Sequence, residues 1–244
     1  MTARWSKPGK SHALNHAVRE ARGDYILWTD DDALVDPNWF EAYTEAFNRW
    51  PDASIFGGPV KPWFRTDPPR WMNDETLPFV ASAYAIRDLG NEPVELTYNN
   101  LPFGVNMAIR YKEQAKYLYD TKLGPRPNSE LRGEETVLMT KMLDDGAKGR
   151  WVPGACVRHF IPQERRTLGF VKNYYRGYGE YQWIEIEEGT TPNRFGTVYT
   201  MLKQAVKGEL RYRYYRLFRE PREWVRAMVL SSHAWGRLMR RVKI

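Results

Sequence analysis

The sequence predicts an α/β fold in which a mixed sheet is flanked by helices, with a helical C-terminal appendage. Three observations carry that expectation. Apolar residues recur at helical spacing between Ser11 and Arg22 and stop at Gly23. The apolar run Tyr25-Ile26-Leu27-Trp28-Thr29 then ends abruptly in Asp30-Asp31-Asp32, and beyond Thr167 the helical period dominates.

In the first helix Ala13, Leu14, Ala17, Val18 and Ala21 share a face, and Gly23 is the residue type that closes helices in a left-handed turn. Residues 25–29 read as a buried strand, and Pro37 opens a second helix carrying Trp39, Phe40, Tyr43 and Phe47. Residues 54–60 read as another strand, and the Pro- and Trp-rich stretch 62–78 as a long loop of the kind that is usually functional. A strand over 103–109, a helix over 134–143 with Val137, Leu138 and Met142 on one face, and a strand over 151–160 carrying His159 near its end follow. Helices are expected over 168–181, 195–206 and 221–242. The boundary is placed near Thr190, dividing a domain of residues 1–190 from a basic, amphipathic helical segment of residues 191–244.

The chain has 244 residues, 42% of them hydrophobic, enough for a sizeable core and too polar for a membrane bundle. No stretch approaches the roughly 18 to 20 apolar residues of a bilayer span, and the start, Met1 to Pro8, lacks the apolar centre of a signal peptide. A cytoplasmic location is expected. The one cysteine, Cys156, excludes an internal disulfide framework and a multi-cysteine metal site. The net charge is +7, yet residues 201–244 hold 12 Lys/Arg against 3 Asp/Glu, a net +9, which leaves −2 on the first 200. A near-neutral body speaks against a nucleic-acid groove, so no nucleic-acid partner is expected, and the basic end suits an anionic surface.

Three successive aspartates after a buried strand repel one another in a partly dry crevice unless a cation sits among them. In an extended segment Asp30 and Asp32 point the same way, and such a pair suits Mg²⁺ or Mn²⁺. The triplet reads equally as a solvated acidic turn capping the next helix. Glu134 and Glu135 form either a catalytic pair or an acid-rich helix N-terminus. His159 is either a satisfied core residue or a neutral imidazole that completes a Mn²⁺ site.

Several blocks, in this order and spacing, resemble family 2 glycosyltransferases. Gly9-Lys10-Ser11-His12-Ala13-Leu14-Asn15 is similar to the Gly-x-x-x-Ala-x-Asn segment that enters a helix in that family. Gly23-Asp24, through to Asp30-Asp31-Asp32, is similar to its strand bearing the metal-binding Asp-x-Asp. Phe103-Gly104-Val105-Asn106-Met107-Ala108-Ile109-Arg110 resembles the acceptor-side strand, and Gly133-Glu134-Glu135-Thr136-Val137-Leu138 the Gly-Glu-Asp-x-x-Leu catalytic motif. Val157-Arg158-His159 with Arg165-Arg166-Thr167 resembles the closing His and Arg segment. The resemblance runs from residue 9 to about residue 180. It implies a GT-A fold, a Rossmann-related mixed sheet, here N-terminally truncated because the strand, helix and strand that cradle base and ribose are missing from the start.

The resemblance also implies an activity: a metal-dependent, inverting transfer of sugar from a nucleotide-sugar donor to an acceptor hydroxyl in polysaccharide or glycoconjugate assembly. The acceptor would be a saccharide or a lipid-linked saccharide. Asp32 with Asp30 would hold Mg²⁺ or Mn²⁺, His159 would complete the metal site, and Asn15, Asp30, Arg165 and Arg166 would meet the nucleotide. Glu135, where the family has Asp, would be the base, with Glu134 positioning it. Trp63, Pro68, Pro69 and Trp71 would offer acceptor stacking or ordinary core. The competing reading is a degenerate, non-catalytic module that binds a membrane surface or partner, and a weaker one is phosphoryl transfer at the aspartates.

Along residues 221–242, Trp224, Met228, Ser231, Trp235, Leu238 and Val242 fall on one helical face, with Arg226, Arg237, Arg240 and Arg241 largely elsewhere. Such a helix either packs on the transferase domain or lies on an anionic membrane surface, as a peripheral protein on the cytoplasmic face would.

Overall fold

The structure, a computed structural model, describes residues 8–125, 132–189 and 194–242. Its elements are α1 (Lys10–Glu20), β1 (Tyr25–Trp28), β2 (Ala33–Val35), α2 (Trp39–Arg49), β3 (Ala53–Gly57), β4 (Val60–Trp63), α3 (Leu77–Val80), β5 (Glu95–Leu96), β6 (Met107–Arg110), α4 (Tyr111–Gln114), α5 (Glu134–Asp144), β7 (Lys148–Trp151), β8 (Val157–Phe160), α6 (Leu168–Gly189), α7 (Arg194–Phe218) and α8 (Pro221–Val242). They divide into two compact units. The first takes residues 1–63, 84–129 and 133–160, and the second residues 64–83, 130–132 and 161–244. The boundary expected near Thr190 lies outside the described residues.

The first unit is built on a five-stranded sheet in the order β1-β6-β3-β7-β5, with β3 and β7 parallel and the other pairs antiparallel. Strand side chains alternate between its two faces, and the sequence supplies a different core to each. Ile26, Trp28, Ile55, Met107 and Ile109 pack with Val18 of α1 and Leu138, Met139 and Met142 of α5. Tyr25, Leu27, Phe56 and Ala108 pack with Tyr43, Ala46 and Phe47 of α2. α1 and α5 thus cover one face and α2 the other. This is the mixed sheet flanked by helices that was expected.

A second, three-stranded sheet has the order β2-β8-β4. Its existence corrects two expected strands. Residues 54–60 split into β3 and β4 in different sheets, because Gly58 passes so close to the Ala155 carbonyl that a Cβ there would lie 2.0 Å from its oxygen. Residues 151–160 split in the same way into β7 and β8, separated by a turn at Pro153 and Gly154. Residues 103–109 begin as a 3-10 turn over Gly104–Asn106 before β6.

Asn106 occupies the junction of the two sheets and is fully buried. Its Oδ1 accepts from Trp39 Nε1 and from the Tyr43 hydroxyl, both at 2.8 Å, while Nδ2 donates to the carbonyls of Pro59 (2.9 Å) and Ala155 (2.6 Å). All four hydrogen-bonding positions of the amide are used.

In the second unit α8 packs along both α6 and α7. Gly179 of α6 and Gly236 of α8 allow the close approach, since a Cβ on either would meet the other helix's backbone at 2.2 and 2.0 Å. Met228, Ser231 and Leu238 are buried, and Trp235 packs against Met201 and Ala205 of α7. Of the two readings of this stripe, the packed one applies: it is the inner face of a helical unit. Arg240, Arg241 and Val242 lie outside the described side chains.

Asn106→Ala leaves two buried carbonyls and two buried donors without partners. It is expected to destabilise the protein by about 3 kcal/mol or more, read from urea denaturation. A loss below about 1 kcal/mol would contradict the junction role.

Candidate active site

β1 ends at Trp28, and the chain then reverses through a turn closed by the Ala33 N–H donating to the Asp30 carbonyl at 3.2 Å. This turn, and not the extended alternation expected, brings Asp30 and Asp32 together. β2 pairs antiparallel with β8, placing Ala33 opposite His159, and the Phe160 N–H donates to the Asp32 carbonyl at 2.9 Å. One ligand atom from each of Asp30, Asp32 and His159 falls within 4.8 Å of the other two.

The tautomer of His159 follows from its partners. Nδ1 lies 2.8 Å from the Tyr84 carbonyl, which can only accept, so Nδ1 carries the hydrogen. Nε2 then faces Asp32 Oδ1 at 3.3 Å. Burial raises the Asp30 pKa; Lys10 opposes this, and the charges of Glu135 and Asp32 add to it. Two crowded carboxylates and one oriented imidazole fit a divalent cation such as Mg²⁺ or Mn²⁺, which would relieve that repulsion.

On α5, Gly133 takes a φ of +105°, and the helix begins at Glu134. Lys10 Nζ donates to Glu135 Oε1 at 2.6 Å and lies 3.5 Å from Glu134 Oε1. Glu134 is 3% exposed and Glu135 17%. Burial alone would lower the Lys10 pKa, but the charges of Glu135, Glu134 and Asp30 outweigh it and hold the ammonium well above its ordinary value. Burial, then the charge of Glu135, raises the Glu134 pKa against the pull of Lys10. Gly104 seats Glu135: a Cβ at that position would lie 2.1 Å from Oε1.

Lys10 and Gly104 are the site residues that sequence reasoning missed. Lys10 stands 125 positions from Glu135, and only its place at the start of α1, inside the recognised segment, hinted at a role.

The other expected residues have the following surroundings. Asn15 is buried, its amide donating to the Tyr119 carbonyl (2.8 Å) and accepting from the Tyr119 N–H (2.7 Å), so it clamps the chain. Arg166 is buried in the second unit, where its guanidinium donates to the Thr66 carbonyl (2.7 Å) and hydroxyl (3.0 Å). It anchors the Pro- and Trp-rich loop. Arg165 is exposed on a 3-10 turn of that unit. Trp63 packs against Phe160 in the first unit, and Trp71 lies 6.5 Å from Trp224 in the second; both are half-buried.

Residues 2–105 match the model of glycosyl transferase family 2. The glucosyl-dolichyl phosphate glucuronosyltransferase of Haloferax volcanii is 23% identical over 178 residues, covering 70% of this chain and 55% of that protein. The chain thus spans about half the length of this curated relative. The mannosyltransferase PcManGT from Pyrobaculum calidifontis, solved in complex with GDP-Man and Mn²⁺, matches with a TM-score of 0.51 at 17% identity, over 94% of this chain and 66% of that one. The fold is therefore the GT-A type that the motifs implied.

The Glu134 pKa lies above its unfolded value, so its charge costs stability increasingly as pH rises through the carboxylate range, and Lys10 limits that cost. Without the ammonium the Glu134 carboxyl moves further up, the folded state binds more protons than the unfolded one, and stability falls with rising pH. Lys10→Met is expected to lose about 1 to 3 kcal/mol near pH 8 and clearly less near pH 5, measured as urea midpoints. An equal loss at both would contradict the assignment.

Proposed function

We propose that the chain, whose residues 2–105 match the model of glycosyl transferase family 2, transfers a sugar from a nucleotide-sugar donor to an acceptor hydroxyl with inversion. In this reading Asp30, Asp32 and His159 hold a divalent cation and Glu135 is the base. The observation that carries it is the convergence of the three ligand atoms within 4.8 Å, with Asp30 sharing the charge of Lys10 with Glu134 and Glu135. The intact set of acids and imidazole supports an enzyme over a non-catalytic module.

A bound Mg²⁺ or Mn²⁺ would neutralise the charge that develops on the departing diphosphate. The residues of the chain do the rest. His159, fixed by its bond to Tyr84, turns Nε2 toward the carboxylates. Glu135 takes the proton of the acceptor hydroxyl as that oxygen bonds to the anomeric carbon; the bond from that carbon to the diphosphate breaks, and the nucleoside diphosphate leaves with the electron pair. Attack opposite the leaving group inverts the configuration. The greater exposure of Glu135 supports it over Glu134 as the group that meets an acceptor. An anionic donor beside Asp30 gives Lys10 a competing partner and releases Glu135 Oε1 for proton transfer.

The relative's name supports a lipid-linked saccharide as acceptor, within polysaccharide or glycoconjugate assembly.

Asp32→Ala is expected to abolish the Mn²⁺ dependence of nucleoside diphosphate binding, measured by calorimetry; equal affinity in both proteins would remove the metal assignment. Glu135→Gln keeps the size of the side chain and removes its basicity. It is expected to retain donor binding and to lose transfer by about two to four orders of magnitude. Transfer at the parental rate in Glu135→Gln, with loss in Glu134→Gln, would reverse the two roles.

A further inference from the structure

The second unit carries an apolar face that no described element covers. On α7, Tyr199, Leu202, Leu210, Tyr214, Leu217 and Phe218 are 44% to 76% exposed. Their spacing places them on one side of the helix, while Met201, Ala205 and Tyr212 on the opposite side are buried. From Tyr199 to Phe218 the stripe runs about 28 Å. Among the described residues no helix is long and apolar enough to cross a membrane.

Charge decides what the surface is. Between Tyr199 and Phe218 the sequence has five Lys/Arg and a single acid, Glu209. Lys203 and Arg213 fall within the apolar arc itself, and Lys207 and Arg211 flank it. Protein interface cores are depleted in Lys, whereas long basic side chains beside apolar ones suit a bilayer, where the stem lies among acyl chains and the charge reaches the phosphates. A groove of about 360 Å³ adjoins this side of α7, lined by Lys207, Arg211, Tyr215, Glu223, Arg226 and Leu230. Three cations, one anion and apolar walls match a phosphate headgroup attached to a hydrocarbon tail.

We propose that the outward face of α7 is a docking surface for an anionic phospholipid bilayer. Its apolar residues enter the headgroup region, Tyr199 and Tyr214 sit at the interface, and the Lys207, Arg211 and Arg226 groove takes a lipid phosphate. The surface replaces α8, whose apolar face is packed inside the unit, as the membrane-contacting element. Vesicle binding involves no transfer step, so this proposal and the sugar-transfer reading fail independently.

The test is sedimentation of the full chain with phosphatidylcholine vesicles containing about a third phosphatidylglycerol, against phosphatidylcholine alone. Binding is expected to be at least about tenfold stronger to the anionic vesicles and to weaken with salt. Lys207→Gln with Arg211→Gln should reduce it by about thirtyfold, and Leu210→Glu with Leu217→Glu should abolish it. All four positions are exposed, so helicity by circular dichroism should be unchanged, and each pair tests the surface if the other disturbs the fold. Equal binding to both vesicle types, or retained binding in the variants, overturns the proposal. So does a parental dimer that Leu210→Glu with Leu217→Glu converts to a monomer, since the face would then belong to a second copy.

Discussion

One side-chain amide, that of Asn106, ties together the two sheets on which the site is built. Its Nδ2 holds the Pro59 carbonyl just before β4 and the Ala155 carbonyl just before β8, while its Oδ1 holds α2 through Trp39 and Tyr43. Two of the three crossings from the five-stranded sheet to the three-stranded one, β3 to β4 and β7 to β8, are therefore held by a single residue. Asp30 follows a strand of the first sheet, and His159 lies on a strand of the second, beside the turn that carries Asp32. The strand that carries His159 thus starts from the same junction that closes the core, and Gly58 is the residue that lets the chain pass through it.

On that frame the electrostatics of the site form one system. Three carboxylates, those of Asp30, Glu134 and Glu135, all half-buried or buried, share the ammonium of Lys10. Lys10 bonds to Glu135, neighbours Glu134 and acts on Asp30, and each raised carboxyl records how far one cation falls short of several acids. Such an arrangement is poor design for stability and good design for binding a further cation beside an anionic ligand, because the excess of acid is relieved only when the cation arrives.

Local signals made much of this readable in the sequence. The helical period of residues 11–22 and the apolar run before Asp30 led to α1 and β1, and the four-residue spacing of Leu138 and Met142 led to α5, because each buries one continuous face. Long-range placement was not readable. The breaks at Gly58 and at Pro153–Gly154 come from a backbone contact between distant segments, so two apolar runs each looked like one strand. Asn15 and Arg166 matched a binding pattern by position, yet their polar groups satisfy the backbone of Tyr119 and Thr66. Lys10 carried no mark that would pair it with a glutamate beyond a hundred residues of chain. The longer helix α7 was underestimated because its outward face is itself apolar or aromatic, which blurs the amphipathic period.

The most direct measurement of the transfer reading is the position of the metal itself. Crystals of the full chain grown with Mn²⁺ and a nucleoside diphosphate, measured at the manganese edge, should show one anomalous peak within about 2 to 2.5 Å of an Asp32 carboxylate oxygen and of His159 Nε2, bridging to the diphosphate. A diphosphate bound with the manganese elsewhere, or bound with no manganese at all, would contradict the assignment of this cluster as the centre of the chemistry.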